Sequence, residues 1–382
     1  MKFEQCLIQQ IKKHPSMQPQ DVVKLCYQAA FGAEHLLADM DAAKKYFYAE
    51  YDSVPVGLGD LYEEISPDIC RINFSAWKAC GMPAEWLFAM FAHTASVAYG
   101  SEELFWHYLL VAQEMLSELE ACDIEVGFTA QEWQDYVAAY KACGIRAVHH
   151  SDTYREKEHP AYRIVSSRFL SVLPILEKAA TVSNEQSVFL SDHCSSHGLQ
   201  SSFNGGTAGV IAIDGRAASG KSTMAELLAM VLNAGVIHMD DFFLPLELRT
   251  PQRFAEPGGN VHYERFAEEV LPVLRGKESF SYTIFDCSKM ELSGKRQVTA
   301  SSWRIVEGSY SHHPKLGDYA DLKVFLDVDE EEQMRRIEIR NGEQMAKIFK
   351  SRWIPLEEGY FENCLVREKA DLVIVSIDRT RR

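Results

Sequence analysis

Two textures of apolar residues divide the chain. Over residues 1–180 they recur at three- and four-residue spacing, the period of an amphipathic helix. The spacing predicts helices over Gln20–Phe31 (opened by Pro19), Asp39–Tyr51, Pro83–Ala98, Glu102–Leu119, Ala130–Ala142 and Ala161–Ala180. In the fourth, Leu104, Tyr108, Val111, Met115 and Leu119 fall along one stripe. From Val210 the period changes. Short β-branched runs predict strands over Val210–Asp214, Val236–Asp240, Ser281–Asp286, Arg304–Glu307, Leu322–Val328 and Leu372–Val375. Helical stretches over Ser222–Leu232, Tyr263–Leu274, Glu331–Ile339 and Leu356–Asn363 alternate with them. Such alternation implies a parallel sheet with helices on both faces. The runs show no two-residue apolar/polar alternation, as expected of strands buried on both sides. Ser, Asn and Gly dominate the intervening stretch. The predicted organisation is therefore an all-α domain over 1–182, a linker over 183–208 and an α/β domain over 209–382.

Composition narrows the classes of function. A hydrophobic content of 47% over 382 residues supports real cores. The net charge is −16, of which residues 207–382 carry −4 (24 Lys and Arg against 28 Asp and Glu), leaving −12 for residues 1–206. Phosphate backbones and anionic lipid need Lys and Arg to neutralise them, so neither nucleic acid nor membrane is an expected partner. The nine cysteines form no C-x-x-C pair, which suits free thiols in a reducing compartment. The opening MKFEQCLIQQIKKHP lacks the apolar core of a secretion signal, and no run approaches the ~18 apolar residues of a membrane span. A cytoplasmic protein is expected, with a homo-oligomer left open.

The chemistry concentrates in the C-terminal half. Gly215-Arg216-Ala217-Ala218-Ser219-Gly220-Lys221-Ser222 satisfies G-x-x-x-x-G-K-[ST], with Thr223 following, a predicted strand before and a predicted helix after. Glycines let successive N–H groups turn toward phosphate, and the helix N-terminus adds positive partial charge. Lys221 is expected to reach the terminal phosphates, and Ser222 to ligate Mg²⁺. No N/T-K-x-D guanine signature occurs, which favours ATP. Asp240 ends the second predicted strand, where a carboxylate can accept the proton of an attacking hydroxyl. Asp240-Asp241 would equally serve as a cap or turn. Glu307, at the end of another strand, suits a place beside Mg²⁺; a surface glutamate is the plainer alternative. The Pro/Gly-punctuated loop from Arg249 through Arg253 and His262 to Tyr263 is long enough to cover an acceptor, or to be simply solvated. Arg336 and Arg340 share a helix face suited to a lid over transferring phosphate, unless Glu331, Glu332 and Glu338 pair with that arginine cluster.

Taken in order, DGRAASGKST, MDDFFL, YTIFDC, IVEGSY and LKVFLDV with QMRRIEIRNG resemble the uridine kinase/phosphoribulokinase/pantothenate kinase branch of P-loop kinases over residues 209–376. RTPQRFAEPGGNVHYERF and WIPLEEGYF are closer still to a bacterial uridine-kinase-like subgroup. The resemblance implies an α/β P-loop NTPase fold and ATP- and Mg²⁺-dependent phosphorylation of a small-molecule hydroxyl. It implies Asp240 as base, Lys221, Arg336 and Arg340 as catalytic charges, and Arg249, Arg253, Tyr263, Asp286 and Tyr310 on the acceptor side. His262 and the stretch Phe285–Met290 depart from the uridine kinase pattern, which puts uridine itself in doubt.

A regulatory ATP-binding switch coupled to the helical domain is the competing reading, and separate chemistry in residues 1–180 a third. In the N-terminal half, the groups around His149, His150 and His159 and around Asp192, His193 and His197 match no zinc spacing. Gly32–His35 and Cys70–Asn73 set polar groups beside apolar helices.

Overall fold

The computed structural model describes residues 2–33, 39–97, 100–121, 124, 126–191 (backbone alone over 183–191) and 207–376. The chain divides into two compact units, Met1–Leu173 and Pro174–Arg382.

In chain order the first unit contains α1 (Phe3–Lys13), α2 (Pro19–Phe31), α3 (Met40–Ser53), β1 (Tyr62–Glu64), β2 (Ile69–Asn73), α4 (Phe74–Ala79), α5 (Ala84–Ala95), α6 (Glu102–Ala121), α7 (Ala130–Ala142), α8 (Asp152–Glu158) and β3 (Tyr162–Ser166). Helices α1, α2, α6 and α7 pack around a core that includes Leu7, Val22, Phe105 and Trp133. The helical spacing is real, but a small antiparallel sheet, β1-β2-β3, is added to it. The sheet corrects the expected helix over Ala161–Ala180. Its first part, Tyr-Arg-Ile-Val-Ser, pairs with β2 as a strand, and the helix α9 begins only at Leu173. Aromatic and β-branched residues favour that pairing over a helix start just after Pro160. Helix α9 runs to Ser191, so the stretch expected as linker is helical at its start. Asp192, His193 and His197 lie outside the described residues, as do Glu34 and His35.

The second unit continues with β4 (Gly209–Gly215), α10 (Lys221–Leu232), β5 (Gly235–His238), α11 (Pro251–Ala255), α12 (Tyr263–Glu269), α13 (Leu271–Leu274), β6 (Phe280–Asp286), β7 (Glu291–Val298), β8 (Trp303–Glu307), β9 (Leu322–Asp327), α14 (Glu330–Asn341), α15 (Glu343–Ile348), α16 (Ile354–Cys364) and β10 (Leu372–Val375). Five strands form a parallel sheet in the order β10-β9-β4-β8-β5. The central strand β4 is buried along its whole length, which its unbroken apolar run foretold. Val210 and Ala212 enter a core with Phe266 of α12 and Phe361 of α16. Alternation turns Ile211 and Ile213 to the other face, and α10 packs on β4, β5 and β8. The Val and Ile side chains among these contribute about 1.5–3 kcal/mol each on burial.

Two expectations need correction. Ser281–Asp286 does not join the parallel sheet: β6 pairs antiparallel with β7 as a separate hairpin. Strand β7, Glu291–Val298, is polar and mostly solvated, so it carries no apolar signal in the sequence. The second sheet strand stops at His238, and Asp240 sits in a 3₁₀ turn, Met239–Phe242, beyond it.

The chain passes from β4 to β5 on one side of β4 and later from β8 to β9 across it, so β4 ends at a reversal of strand order, where open α/β sheets bind ligands. Gly215 makes the turn there. It has φ +136°, and a Cβ would lie 2.0 Å from the Leu326 carbonyl oxygen of β9. Gly215→Ala is therefore predicted to lower the stability of this unit by more than about 3 kcal/mol. Denaturant unfolding of the full chain checks it; a midpoint unchanged from wild type would contradict the packing.

Candidate active site

The phosphate loop begins with Gly215 and ends with Gly220 (φ +98°), which opens α10. The Gly215 N–H donates to Asp214 Oδ1 at 2.7 Å, and Lys221 Nζ folds back over the loop onto the carbonyls of Gly215 (2.7 Å) and Arg216 (2.8 Å). The first N–H groups of a helix have no intrahelical acceptor. Among the described residues, the N–H groups of Gly220, Lys221, Ser222 and Thr223 find no other acceptor, and all four residues line a cavity of about 730 Å³. The cradle thus offers convergent unspent donors at a positive helix end, as a nucleotide's phosphates require. Arg216 points away from it, paired with Glu358 (3.0 Å) and Asp327 (3.5 Å), and so locks the loop to α16 and β9.

Ser222 Oγ donates to Glu307 Oε2 at 3.1 Å, and the other oxygen of Glu307 lies 2.5 Å from His238 Nδ1. The described residues contain no group of three or more His, Cys, Asp or Glu able to hold a metal. A hydroxyl beside one carboxylate fits Mg²⁺, which prefers oxygen and takes most of its ligands from phosphate and water.

Asp240 and Asp241 diverge. The Asp241 carboxylate turns inward to Arg296 (2.6 Å) and the Tyr282 hydroxyl (2.9 Å), fastening the β6–β7 hairpin to the sheet. Asp240 lines the cavity and has no hydrogen bond or ion pair among the described residues. It is reached by solvent through the cavity yet crowded by protein. Burial, and then the Glu307 carboxylate, push its carboxyl above the usual aspartate range.

Phe243, Arg249, Phe254, Asn260 and Tyr310 form the wall beyond Asp240, with Cys287 and Met290 from the hairpin turn. Arg336 and Arg340 of α14 also line the cavity, as do Met345, Phe349 and Trp353. Arg336 also bonds Glu332 and the Ala218 carbonyl, so the expected pairing with an acidic neighbour occurs without removing it from the cavity.

Of the residues expected on the acceptor side, the structure brings Asp240, Arg249 and Tyr310 to the cavity and leaves three out of it. Arg253 lies over the Tyr263 ring and donates to the carbonyls of Gly259 and Val261 and to Glu264. These two residues brace the covering loop from behind. Asp286 accepts from the N–H and hydroxyl of Ser288, closing the turn of the hairpin. His262 caps α12, accepting from the Arg265 N–H, and so also leaves the wall.

Sequence reasoning missed Glu357 of α16. It is buried, accepts from Ala217 N–H (3.0 Å) and Ser309 Oγ (2.8 Å), and lines the cavity beside the phosphate loop. Its segment stands out in the sequence, as WIPLEEGYF; its direction does not. Asn260 and Met290 were equally silent, because a loop residue's orientation leaves no periodic trace.

A nucleotide-type phosphate loop on a five-stranded parallel sheet defines the C-terminal unit as a P-loop fold of the α/β class. No family model and no curated protein matches the chain. Solved structures similar to it include a possible uridine kinase from Bacillus stearothermophilus (20% identity, TM-score 0.35, covering 50% of this chain and 98% of that one). Others are a candidate fructose transport system kinase from a Silicibacter species (18%, 0.37, 50% and 98%) and a D-glycerate 3-kinase from Cryptococcus neoformans (14%, 0.33, 53% and 97%).

The two aspartates predict opposite effects on stability. Asp241→Ala is expected to cost about 1–3 kcal/mol, since it strands the buried Tyr282 hydroxyl and breaks the Arg296 pair. Asp240→Ala is expected to be neutral, or stabilising by up to about 1 kcal/mol. A carboxyl raised by folding stabilises the fold below the ordinary aspartate range and loses that contribution as pH rises. Any gain from Asp240→Ala should therefore appear above that range and vanish below it. Unfolding curves of both variants across pH test the assignment, and a loss at Asp240 as large as that at Asp241 would contradict it.

Proposed function

We propose that the C-terminal unit transfers the γ-phosphoryl group of ATP to a hydroxyl of a small metabolite. One observation carries the reading: an unpaired carboxylate, Asp240, faces the same cavity as the phosphate cradle. A switch that only senses nucleotide has no use for such a base in a cavity that Phe243, Phe254 and Tyr310 also line.

Bound ATP supplies the phosphoryl group, and Mg²⁺ withdraws charge from it. Ser222 and Glu307 would hold the metal, with His238 fixing the orientation of the Glu307 carboxylate. The N–H groups of Gly220 to Thr223 hold phosphate oxygens, and Lys221 exchanges its loop carbonyls for them. Asp240 accepts the acceptor's proton as its oxygen attacks; a raised carboxyl pKa makes it the stronger base. Arg336 and Arg340 approach from α14 and offset the charge that spreads over the equatorial oxygens. Phe243, Phe254 and Tyr310 provide the apolar wall that orients a small acceptor, with Arg249 and Asn260 as its polar contacts.

The test is acceptor-dependent ADP release over a panel of nucleosides, vitamins and sugars. Asp240→Asn keeps the shape but cannot take a proton. It should reduce turnover about 10²–10⁴-fold with little change in ATP affinity. Lys221→Ala should abolish turnover. If Asp240→Asn remains nearly as active as wild type, the base is misassigned; if it is inactive only because ATP no longer binds, Asp240 belongs to the nucleotide side.

A further inference from the structure

The N-terminal unit carries a buried polar network that links α1, α2, β2 and β3. Arg71 of β2 is 3% exposed, and among the described residues no carboxylate comes within ion-pair distance of it. Its guanidinium is held instead by two neutral amides: Nε and Nη2 donate to Gln28 Oε1 (3.3 and 2.6 Å), and Nη1 to Gln10 Oε1 (3.0 Å). A guanidinium has five N–H groups, so one remains on each terminal nitrogen. The Tyr162 ring lies 4.5 Å below the guanidinium carbon and fixes its plane.

The partners are themselves held rigidly. Gln10 Nε2 donates to Glu63 (3.1 Å), and Gln28 Nε2 to the Tyr162 hydroxyl (3.3 Å). That hydroxyl lies 2.6 Å from His150 Nε2, and His150 Nδ1 lies 2.8 Å from Asp21. Burial pushes His150 down to about 4, so at neutral pH the ring is uncharged. Its Nδ1–H then donates to Asp21, and its Nε2 accepts from Tyr162. The chain Asp21–His150–Tyr162–Gln28–Arg71 is thus directional, and it ends on the unspent guanidinium donors.

Arg71 lines a cavity of about 80 Å³ together with Tyr154, Tyr162, His14, Glu63 and Glu158, among others. Tyr154 is 3% exposed, and its hydroxyl has no hydrogen-bond partner among the described residues. Glu63 reaches the Arg71 guanidinium only through Gln10, and among the described residues neither the unspent N–H groups of Arg71 nor the Tyr154 hydroxyl has a hydrogen-bond partner. Together they satisfy both oxygens of one planar anion.

We propose that this cavity is a binding site for the carboxylate of a small monocarboxylic acid, gripped by the two open N–H groups of Arg71 and by the Tyr154 hydroxyl. Glu63 and Glu158 also line the cavity, with His14 between them, and they oppose a doubly charged phosphate more than a singly charged carboxylate. The site lies within the first unit and does not depend on the kinase reading.

The test is calorimetric titration of the full chain with acetate, glycolate, glycine and inorganic phosphate. At least one carboxylate is expected to bind saturably and phosphate at least tenfold more weakly. Tyr154→Phe, which keeps the ring packing, should weaken the carboxylate at least threefold, and Arg71→Lys should abolish binding. Arg249→Ala, in the other unit, should leave it unchanged. Melting curves separate loss of binding from loss of fold; if Arg71→Lys unfolds the unit, Tyr154→Phe decides. Absence of carboxylate binding up to 50-fold above millimolar levels, equal binding of phosphate, or affinity indifferent to Tyr154→Phe would each overturn the proposal.

Discussion

One buried carboxylate fixes the geometry of the C-terminal unit. Asp214, at the end of β4, is fully buried and accepts from the Gly215, Tyr310 and His312 N–H groups and from the Tyr360 hydroxyl. These four donors belong to three segments that share no local sequence: the phosphate loop, the turn after β8 and helix α16. A buried carboxylate is tolerable only when its oxygens are hydrogen-bonded. The requirement therefore draws all three segments to the carboxyl end of the sheet. The turn after β8 carries backbone strain at Tyr310 (φ +75°) and requires glycine at Gly308 (φ +128°), where a Cβ would lie 2.8 Å from Met239 Cβ. What results is a rigid frame on which Glu307, Ser309 and Glu357 are placed without choice of their own.

On that frame the two neighbouring aspartates divide the work. Asp241 spends its charge on holding the hairpin, and Asp240 spends none. An unspent, crowded carboxylate is a poor structural element and a good base. The arginines divide similarly. Arg216, Arg253 and Arg265 lie outside the cavity lining, whereas Arg249, Arg336 and Arg340 line it even though Arg249 and Arg336 also bond backbone carbonyls. In each set, adjacent or nearby residues of one type are separated by direction alone.

Direction is also what the sequence could not supply. The phosphate loop was legible because glycine spacing and a flanking strand and helix are local, and β4 because burial on both faces leaves an unbroken apolar run. Asp240 was legible as a strand-end carboxylate, although the strand stops two residues short of it. Arg253, Tyr263 and Asp286 carry side chains suited to an acceptor, but their hydrogen bonds turn them into the loop and hairpin. Glu357 became part of the site only because α16 returns to the phosphate loop from 140 residues away. In the first unit, the strands β1 to β3 were hidden for the opposite reason: they are short, and a helical period on both sides masks them. Their pairing nonetheless brings Arg71 alongside Tyr162, which no spacing rule anticipates.

The phosphate cradle and Asp240 are proposed to serve a single transfer step. The most direct measurement supplies ATP labelled at the γ-phosphate, with Mg²⁺ and a fractionated pool of small metabolites, and follows the label. The account predicts that one fraction draws the label into a phosphorylated alcohol, in amounts equal to the ADP formed. Label released only as inorganic phosphate, at a rate indifferent to every fraction, would contradict it and leave the unit a nucleotide-driven switch.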